Sequence, residues 1–401
     1  METVRKLSGL SPDEAEIISD RGLKMEEADR MIENVIGTFE LPIGIGANFR
    51  INDKDYLIPM VIEESSVVAA ASYAAKLARP TGGFYSVTTE PVMISQIQIT
   101  GVASPNEAKV KIIENKESLL KMANEEDPIL VKFGGGARDI RCRVLESSFG
   151  PYLIVHLLVD CRDAMGANAV NSMAEALAPE MERITKGKVY LRILSNLADN
   201  RLARSRVEFR KEELGEETIE GILQAYEFAR VDPYRCATHN KGIMNGVIAV
   251  VNATGNDSRA IEAGAHSYAT TGGGYRPLTT WERNADGNLV GTIEMPVAVG
   301  TVGGVTSIHP VAKTLMKIIG VDSASELSGV IAAVGLAQNF AALRALATEG
   351  IQKGHMKLHA KNVAVAAGAS EELIEIIAEK MVKEGKIKAD RAMELIAELS
   401  D

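Results

Sequence analysis

Cysteine is scarce in this sequence. The 401 residues include three cysteines, Cys142, Cys161 and Cys236, and no two of them have CxxC spacing. Three thiols cannot all pair within one chain, and structural zinc sites normally use closely spaced cysteine pairs. The pattern therefore indicates a reducing compartment and argues against structural zinc.

An excess of positive charge is lacking too. The chain has 44 lysines and arginines against 54 aspartates and glutamates, which gives a formal net charge of −10. Nucleic-acid binding requires a cationic surface, so the composition argues against that class of function. An anionic cofactor is not excluded, because helix N-termini and a few placed cations can bind phosphate locally.

Long hydrophobic runs are absent as well. Residues Met1 to Gly9 are charged and contain no apolar segment of a secretory signal. The least polar stretches, Met295–Val305 and Leu327–Ala337, have about half the length that a bilayer requires. We therefore expect a soluble, cytoplasmic protein without a membrane partner.

The order of expected elements indicates an α+β protein with more than one domain. Residues 92–196 follow the pattern strand, helix, strand, strand, helix, strand, which is typical of a ferredoxin-like unit. We expect this unit to be inserted into a large, mainly helical domain formed by residues 1–91 and 197–349. A hairpin with Asp286-Gly287 at its turn interrupts the helices of that domain. Residues 350–401 predict a small helical C-terminal domain.

Local signals predict several helices. Ser11–Glu14 and Ser104–Glu107 both have the residue order of a capping box that starts a helix. A further N-terminal helix is expected over Lys24–Ile36, and Val61–Arg79 is Ala-rich with apolar residues at helical spacing.

The glycine fingerprint of a dinucleotide-binding turn is missing. That fingerprint is G-x-G-x-x-G between a strand and a helix. Here Gly44-Ile45-Gly46 is followed by Ala47-Asn48-Phe49, and Gly134-Gly135-Gly136 leads into no periodic helix. Composition and spacing alone therefore reveal no dinucleotide site.

Several polar segments in apolar surroundings are candidates for chemistry. Glu63-Glu64 precedes the Ala-rich helix, where acidic residues also simply favour a helix N-terminus. Asp160–Asn168 is a strand-to-helix turn that suits phosphate, although purely structural turns look the same. Arg235–Gly246 is interpreted as a loop dense in directional donors, which favours a site. Ala253–Asp257 is interpreted as a helix cap.

His355 and His359 stand four residues apart, so they share one face of a helix. This spacing resembles a zinc pair, but no glutamate follows the first histidine and no third ligand is evident. We therefore expect no metal, and a core histidine remains an alternative for either residue.

Seven segments together carry a family resemblance. They are MIENVIGTFELP (31–42), VIEESSVVAAASYAAKLAR (61–79), DAMGAN (163–168), ATHNKGIMNG (237–246), ATGND (253–257), GTVGG (300–304) and EGIQKGHMKLHA (349–360). This set resembles the 3-hydroxy-3-methylglutaryl-coenzyme A (HMG-CoA) reductase family, most of all its class II, from about Leu10 to the C-terminus. Class I members carry a membrane anchor and a regulatory serine shortly after the catalytic histidine. This sequence has Lys361-Asn362 there, so that phosphorylation control is not expected.

The resemblance implies an activity and an assembly. The family interconverts HMG-CoA with mevalonate and free coenzyme A, using two hydrides from NADH or NADPH through a hemithioacetal and mevaldehyde. Its nicotinamide domain is ferredoxin-like, which explains the missing fingerprint. Its members are dimers or assemblies of dimers with active sites at the subunit interface. A mobile C-terminal domain, here residues 350–401, carries the catalytic histidine.

The resemblance also implies site residues, position by position. The catalytic residues would be Glu64, Lys241, Asp257 and His355; the substrate-binding residues Ser66, Asn196, Arg235, Asn245 and His359; and the cofactor-binding residues Asp127, Asp163, Met165, Gly166 and Asn168. Lys241 would stabilise the developing oxyanion. Glu64 would supply a proton, Asp257 would hydrogen-bond to both, and His355 would protonate the coenzyme A thiolate. Asp127 would repel a 2′-phosphate, which favours NADH over NADPH.

Two other hypotheses remain open at this point. Cys236 beside His239 could serve a thioesterase or acyltransferase as nucleophile and base. A coenzyme A-binding regulatory protein without activity is the second. The sequence does not determine in which direction a reductase would work in the cell.

Overall fold

The computed structural model describes residues 1–348 and 351–400; the side chains of residues 20, 21, 351–358 and 400 lie outside that description. The strands are β1 (Ile43–Ile51), β2 (Lys54–Val61), β3 (Phe84–Thr88), β4 (Val92–Thr100), β5 (Gly136–Leu145), β6 (Tyr152–Asp160), β7 (Lys188–Ser195), β8 (Leu202–Phe209), β9 (Thr279–Arg283) and β10 (Leu289–Pro296).

The helices precede, follow and separate these strands. They are α1 (Glu2–Ser8), α2 (Pro12–Glu16), α3 (Met25–Ala28), α4 (Val67–Ala78), α5 (Pro105–Glu114), α6 (Lys116–Glu125), α7 (Pro128–Lys132), α8 (Ala167–Thr185), α9 (Lys211–Leu214), α10 (Glu216–Val231), α11 (Pro233–Ala253), α12 (Ser258–Tyr268), α13 (Gly304–Ile308), α14 (Pro310–Ile319), α15 (Ala324–Ala347), α16 (Ile351–Ala366), α17 (Glu371–Glu384) and α18 (Ala389–Ser400). A π-helical turn covers Ile17–Arg21 and a 3-10 turn covers Arg79–Thr81.

The inserted unit has the expected ferredoxin-like topology. Its sheet has the strand order β5-β6-β4-β7, and each neighbouring pair is antiparallel. Helices α5, α6 and α8 pack against this sheet. The β-α-β-β-α-β prediction and the α+β fold class are therefore confirmed.

The large domain is mainly helical but contains a six-stranded sheet, with the order β2-β1-β3-β8-β10-β9. The hairpin at Asp286-Gly287 is confirmed as β9 and β10. Strand β8 was not predicted, and it joins that hairpin to β3. Helix α15 packs against β3, β8 and β10 and forms the centre of the core.

Helix α15 extends beyond the least polar stretch of this region, Leu327–Ala337, at both ends. Its 24 residues are long and apolar enough to cross a membrane by length and composition, and it is the one such helix among the described residues. Core helices of globular proteins pass the same test, and 67% of its most apolar window is buried inside the protein. The buried Phe340, which stacks on Phe209 with ring centroids 3.7 Å apart, shows that α15 fills the core.

The helix expected over Lys24–Ile36 is wrong for most of its length. Only Met25–Ala28 is helical, and turns and extended chain follow. Ile32, Ile36 and Phe39 are 64%, 101% and 90% exposed. Helices gain most of their stability from packing an apolar face, and these three side chains pack against no core in the described part of the structure.

Two further helix starts differ from the prediction. Ser11 forms its capping box with Glu14 as expected, whereas Ser104 makes no side-chain capping bond. The Ala-rich helix begins at Val67, because Val61 ends β2 and Ser66 has a left-handed backbone with φ +70°. This displacement leaves Glu64 in a turn between a strand and a helix.

The loop predicted over Arg235–Gly246 is wrong: these residues lie within α11. Asp232 caps this helix by accepting a hydrogen bond from the Tyr234 N–H at 3.2 Å, and Pro233 occupies its first position. The polar residues concealed an apolar face that includes Ile243 and Val247, which is buried where α11 packs against α15.

Candidate active site

An ion pair between Lys241 and Glu64 joins distant parts of the sequence. Lys241 lies on α11 and Glu64 in the turn between β2 and α4, and the Nζ–Oε2 distance is 2.6 Å. Their side chains are 60% and 37% exposed. An ion pair this exposed contributes little to stability, so the fold alone gives little reason for it. Both charged groups are accessible to a ligand.

The turn that carries Glu64 is set by its neighbours. Helix α11 packs against both β2 and α4, which brings Lys241 to the end of β2. Ser66 adopts the left-handed conformation, and its hydroxyl makes no capping bond to α4. The structure thus places Ser66 two residues from Glu64 with a hydroxyl that helix formation does not use.

Asp257 is the N-cap of α12, as the sequence predicts. Its carboxylate Oδ1 accepts from the N–H groups of Arg259 at 3.0 Å and Ala260 at 3.1 Å. Among the described contacts of this carboxylate, none is to Lys241 or Glu64. The expected hydrogen bonds of Asp257 to these two residues are therefore not formed in this chain.

A cleft of about 1270 Å³ brings most of the expected cofactor residues together. Of the residues that the resemblance implied, its lining includes Asp127, Met165, Gly166, Asn168 and Asp257, whereas Glu64 and Lys241 are not part of it. Asp163 does not line the cleft but directly precedes lining residues. Its carbonyl oxygen accepts a hydrogen bond from the Thr301 N–H and its carboxylate accepts one from the Ala324 N–H, each at 2.8 Å.

The chemistry of this cleft suits a dinucleotide. Helix α8, 19 residues long, begins at the cleft with Ala167, and its N-terminal N–H groups favour phosphate. Gly166 has φ +99°, and a Cβ there would lie 2.2 Å from the Cys161 sulfur, so only glycine fits. Asp127 caps α7 by accepting from the Leu130 N–H at 2.9 Å. The N–H groups at the start of α8 therefore fit the phosphates of an anionic cofactor, whereas the Asp127 carboxylate fits an uncharged polar part of it.

Three other expected substrate residues lie near these elements. Arg235 is half-buried on α11, burial lowers the pKa of its guanidinium, and no carboxylate among the described side chains pairs with it. Asn245 lies one helical turn beyond Lys241, on the same face of α11. Asn196 is exposed after β7, and its carbonyl lies close to Gly264 of α12.

The C-terminal histidines lie on α16. The side chain of His355 is outside the described part of the structure, and His359 is exposed. Within the described side chains, no group of three or more histidines, cysteines, aspartates or glutamates is arranged to hold a metal ion.

The cysteine hypothesis finds no support in the geometry around Cys236. The thiol is buried, and burial raises its pKa to about 11, so it stays protonated at neutral pH. His239 is buried as well, and burial, followed by the charge of Arg235, lowers its pKa to about 3. Its Nε2 contacts Thr279 Oγ1 at 2.7 Å and Asn339 Nδ2 at 3.2 Å rather than the thiol.

The sequence interpretation assigned no role to two segments that line the cleft. Residues 38–41, from the first family segment, and residues 302–304, from the GTVGG segment, both contribute to its wall. Their signal was the resemblance alone, because neither has the charge or donor pattern of a site.

Comparisons with known proteins show to which family the chain is similar. The model of the hydroxymethylglutaryl-coenzyme A reductase family matches residues 1–360. The chain is 59% identical over 400 residues to 3-hydroxy-3-methylglutaryl-coenzyme A reductase of Archaeoglobus fulgidus, covering 100% of this chain and 92% of that protein. It is 39% identical over 342 residues to a probable reductase of the same name from Borreliella burgdorferi, covering 83% and 77%.

Among solved structures, the class II reductase from Streptococcus pneumoniae bound to NADPH in open conformations is 40% identical. It matches with a TM-score of 0.83, over 100% of this chain and 99% of that one. With this fold, these segments and these relatives, the chain belongs to the HMG-CoA reductase family and, within it, to class II.

Proposed function

We propose that this protein interconverts HMG-CoA with mevalonate and free coenzyme A, with NADH or NADPH as cofactor. The observation that carries this proposal is the Lys241–Glu64 pair, an accessible ammonium in contact with an accessible carboxylate. A thioester reduction needs both a cation at the carbonyl oxygen and an acid that delivers a proton.

Lys241 stabilises the negative charge that develops on the substrate carbonyl oxygen at each of two reductions. Two molecules of reduced nicotinamide, bound in turn, would each supply one hydride, by way of a hemithioacetal and mevaldehyde. A fixed donor at such an oxygen is typically worth about 3 kcal/mol, provided that water is excluded. Because Lys241 is 60% exposed in the single chain, closure or association must cover it.

Three other residues handle protons. Glu64, once it has taken up a proton, delivers that proton to the alkoxide, which lies beside it because Lys241 contacts both. Asp257 orients the pair once the site is complete. His355 protonates the departing thiolate, whose ordinary pKa is about 8.5, and so prevents reversal.

Substrate binding follows from the remaining polar groups. Arg235 is a half-buried cation without a described acidic partner, and it receives the free carboxylate of the hydroxymethylglutaryl part. Ser66 and Asn245 contribute a hydroxyl and an amide near Lys241. Asn196 lies near the reacting carbonyl, and His359 contacts coenzyme A.

The nicotinamide cofactor is held in the large cleft by Asp127, Asp163, Met165, Gly166 and Asn168. We favour NADH, because the Asp127 carboxylate repels the 2′-phosphate of NADPH. The solved class II reductase from Streptococcus pneumoniae is itself bound to NADPH, so both cofactors remain part of the proposal.

We also propose a homodimer, or an assembly of dimers, with shared active sites. Within one chain, Asp257 lines the cofactor cleft, whereas Glu64 and Lys241 do not. A second subunit would bring the Lys241–Glu64 pair of one chain to the cleft of the other. The exposed Ile36 and Phe39 would be covered by the same association.

The proposed domains are residues 1–91 with 197–349 for HMG-CoA, 92–196 for the cofactor, and 350–401 as a mobile C-terminal domain. The four-stranded sheet over Val92–Ser195 supports the second of these. A separate apolar cluster that includes Ile377, Met381 and Leu395 supports a C-terminal unit with its own core.

The test is substitution of Lys241. In Lys241→Ala we expect kcat to fall by about a hundredfold or more, while HMG-CoA binding measured by calorimetry is kept. The control is Lys111→Ala, which removes a surface lysine from an exposed pair with Glu107. The wild-type protein should oxidise two cofactor molecules per coenzyme A released.

Other results would favour other functions. One-to-one stoichiometry would contradict the two-step reduction. Binding of the thioester without any turnover by the wild-type protein would favour the regulatory alternative.

A further inference from the structure

Arg201 is a buried cation that the proposed reaction does not use. It immediately precedes β8 and is 4% exposed. Its Nη1 donates to the carbonyl oxygens of Ala164 at 3.0 Å and Met165 at 3.1 Å, and its Nη2 donates to that of Val299. Burial lowers the pKa of this guanidinium. Burying a charge is costly, so a position that needed only filling would be better served by an apolar side chain.

The loop that Arg201 contacts is fixed from other directions too. Asp163 accepts from the Thr301 N–H through its carbonyl and from the Ala324 N–H through its carboxylate. Gly300 passes so close that a Cβ there would lie 2.6 Å from the Met165 nitrogen. Loop 163–166 is thus held against the large domain mainly by hydrogen bonds to the main chain.

We propose that Arg201 is a positioning residue that fixes the backbone of this loop and thereby the orientation of the nicotinamide. The inference rests on the proposed function, which assigns Asp163, Met165 and Gly166 to the cofactor. Hydride transfer is sensitive to sub-ångström changes in geometry. Two main-chain carbonyls held by one rigid guanidinium fork leave the loop little freedom to drift.

Amide hydrogen exchange on the protein without ligands tests directly whether Arg201 holds loop 163–166 in place. In Arg201→Met we expect the amides of Thr301 and Ala324, which donate to Asp163, to exchange at least about tenfold faster. Arg201→Lys, which keeps one donor group, should lie between this variant and the wild type. The control Arg206→Met removes an exposed arginine from the adjoining strand β8 and should leave both amides protected.

Steady-state kinetics with cofactor deuterated at the transferred position tests the consequence. In Arg201→Met we expect kcat to fall by about a hundredfold, the KM for HMG-CoA to change less than about threefold, and the deuterium isotope effect on kcat to rise. Arg201→Lys should recover part of kcat. A merely structural role would lower the folded fraction and leave the isotope effect unchanged, and that result would overturn the proposal.

A second variant covers the case in which Arg201→Met does not fold. Gly300→Ala presses on the backbone nitrogen of Met165 with a new Cβ and should give the same rise in the isotope effect. Wild-type exchange rates at Thr301 and Ala324 in either variant that folds would overturn the proposed role of Arg201 in fixing the loop. A wild-type protein that does not reduce HMG-CoA would instead overturn the proposed function. The exchange data would still decide whether Arg201 fixes the loop.

Discussion

Glu64 contacts Lys241 at 2.6 Å, whereas the adjacent Glu63 is exposed and forms no ion pair with the described residues. Two neighbouring carboxylates on one turn thus have different surroundings. The sequence shows an acidic pair, and the packing of α11 against β2 and α4 selects its second member.

This difference supplies a matched pair of variants. Glu64→Gln should lower kcat by at least about a hundredfold, because the amide cannot deliver a proton to the alkoxide. Glu63→Gln removes the same charge one residue away and should leave kcat close to wild type. Initial rates of cofactor oxidation measure both, and equal losses in the two variants would contradict the role of Glu64.

Mixing inactive variants tests the shared site. Lys241→Ala and Asp257→Asn chains, denatured and refolded together, should regain about a quarter of wild-type activity, because half of the dimers are hybrids with one intact site. Glu64→Gln mixed with Lys241→Ala should regain none, since these two residues pair within one chain. Recovery in the second mixture, or no recovery in the first, would refute the proposal that one chain supplies Lys241 and Glu64 to a site and the other chain supplies Asp257.

Asp127 should govern the choice of cofactor. Asp127→Ser keeps a capping oxygen for α7 but removes the charge, so the ratio of kcat/KM for NADPH to that for NADH should rise about tenfold. Glu126→Gln, which removes an exposed charge next to it, is the control. An unchanged ratio in Asp127→Ser would remove the basis for favouring NADH.

His239 should make the protein less stable in acid. Burial lowers its pKa to about 3 from 6.5, so between these values the unfolded chain binds the proton and the folded one does not. Stability is full above pH 6.5 and is lost as the pH falls, by about 1.4 kcal/mol per pH unit from this residue.

Urea unfolding at pH 5.5 and 4.5 measures this contribution. In His239→Gln the slope of the free energy of unfolding against pH should fall by about 1.4 kcal/mol per pH unit, whatever the effect of the substitution on stability at pH 7. The exposed His359→Gln is the control. A variant with the wild-type slope would show that His239 is not held neutral.

Cys236 should be dispensable for turnover. Cys236→Ala should leave kcat nearly intact, because burial raises the pKa of the thiol to about 11 and the reaction then forms no covalent intermediate on it. Mass spectrometry after mixing wild-type protein with HMG-CoA should detect no acyl-enzyme. Trapping of an acyl group on Cys236 would revive the thioesterase hypothesis.

Elements with strong local signals were predictable. The alternation of Gln96 and Gln98 with Ile97 and Ile99 marks the second half of β4, where the two isoleucines are buried, and the Asp286-Gly287 turn defines the β9–β10 hairpin. Helix α11 was misread because its site residues interrupt the apolar face. The segment 24–36 was misread because its later apolar residues, Ile32 and Ile36, stay exposed rather than packing on the described part of the chain.

The sequence by itself determined the chemical inventory: an ammonium, two carboxylates, the small-residue turn DAMGAN and the order of strands and helices in the inserted unit. These depend on residue type and on neighbours within a few positions. Only the tertiary structure decided that Lys241 contacts Glu64, that Asp257 lines the large cleft, and that Arg201 holds the loop before α8. Such contacts span up to 177 residues of chain. They follow from the packing of α11, α15 and the two sheets, on which local propensity has no bearing.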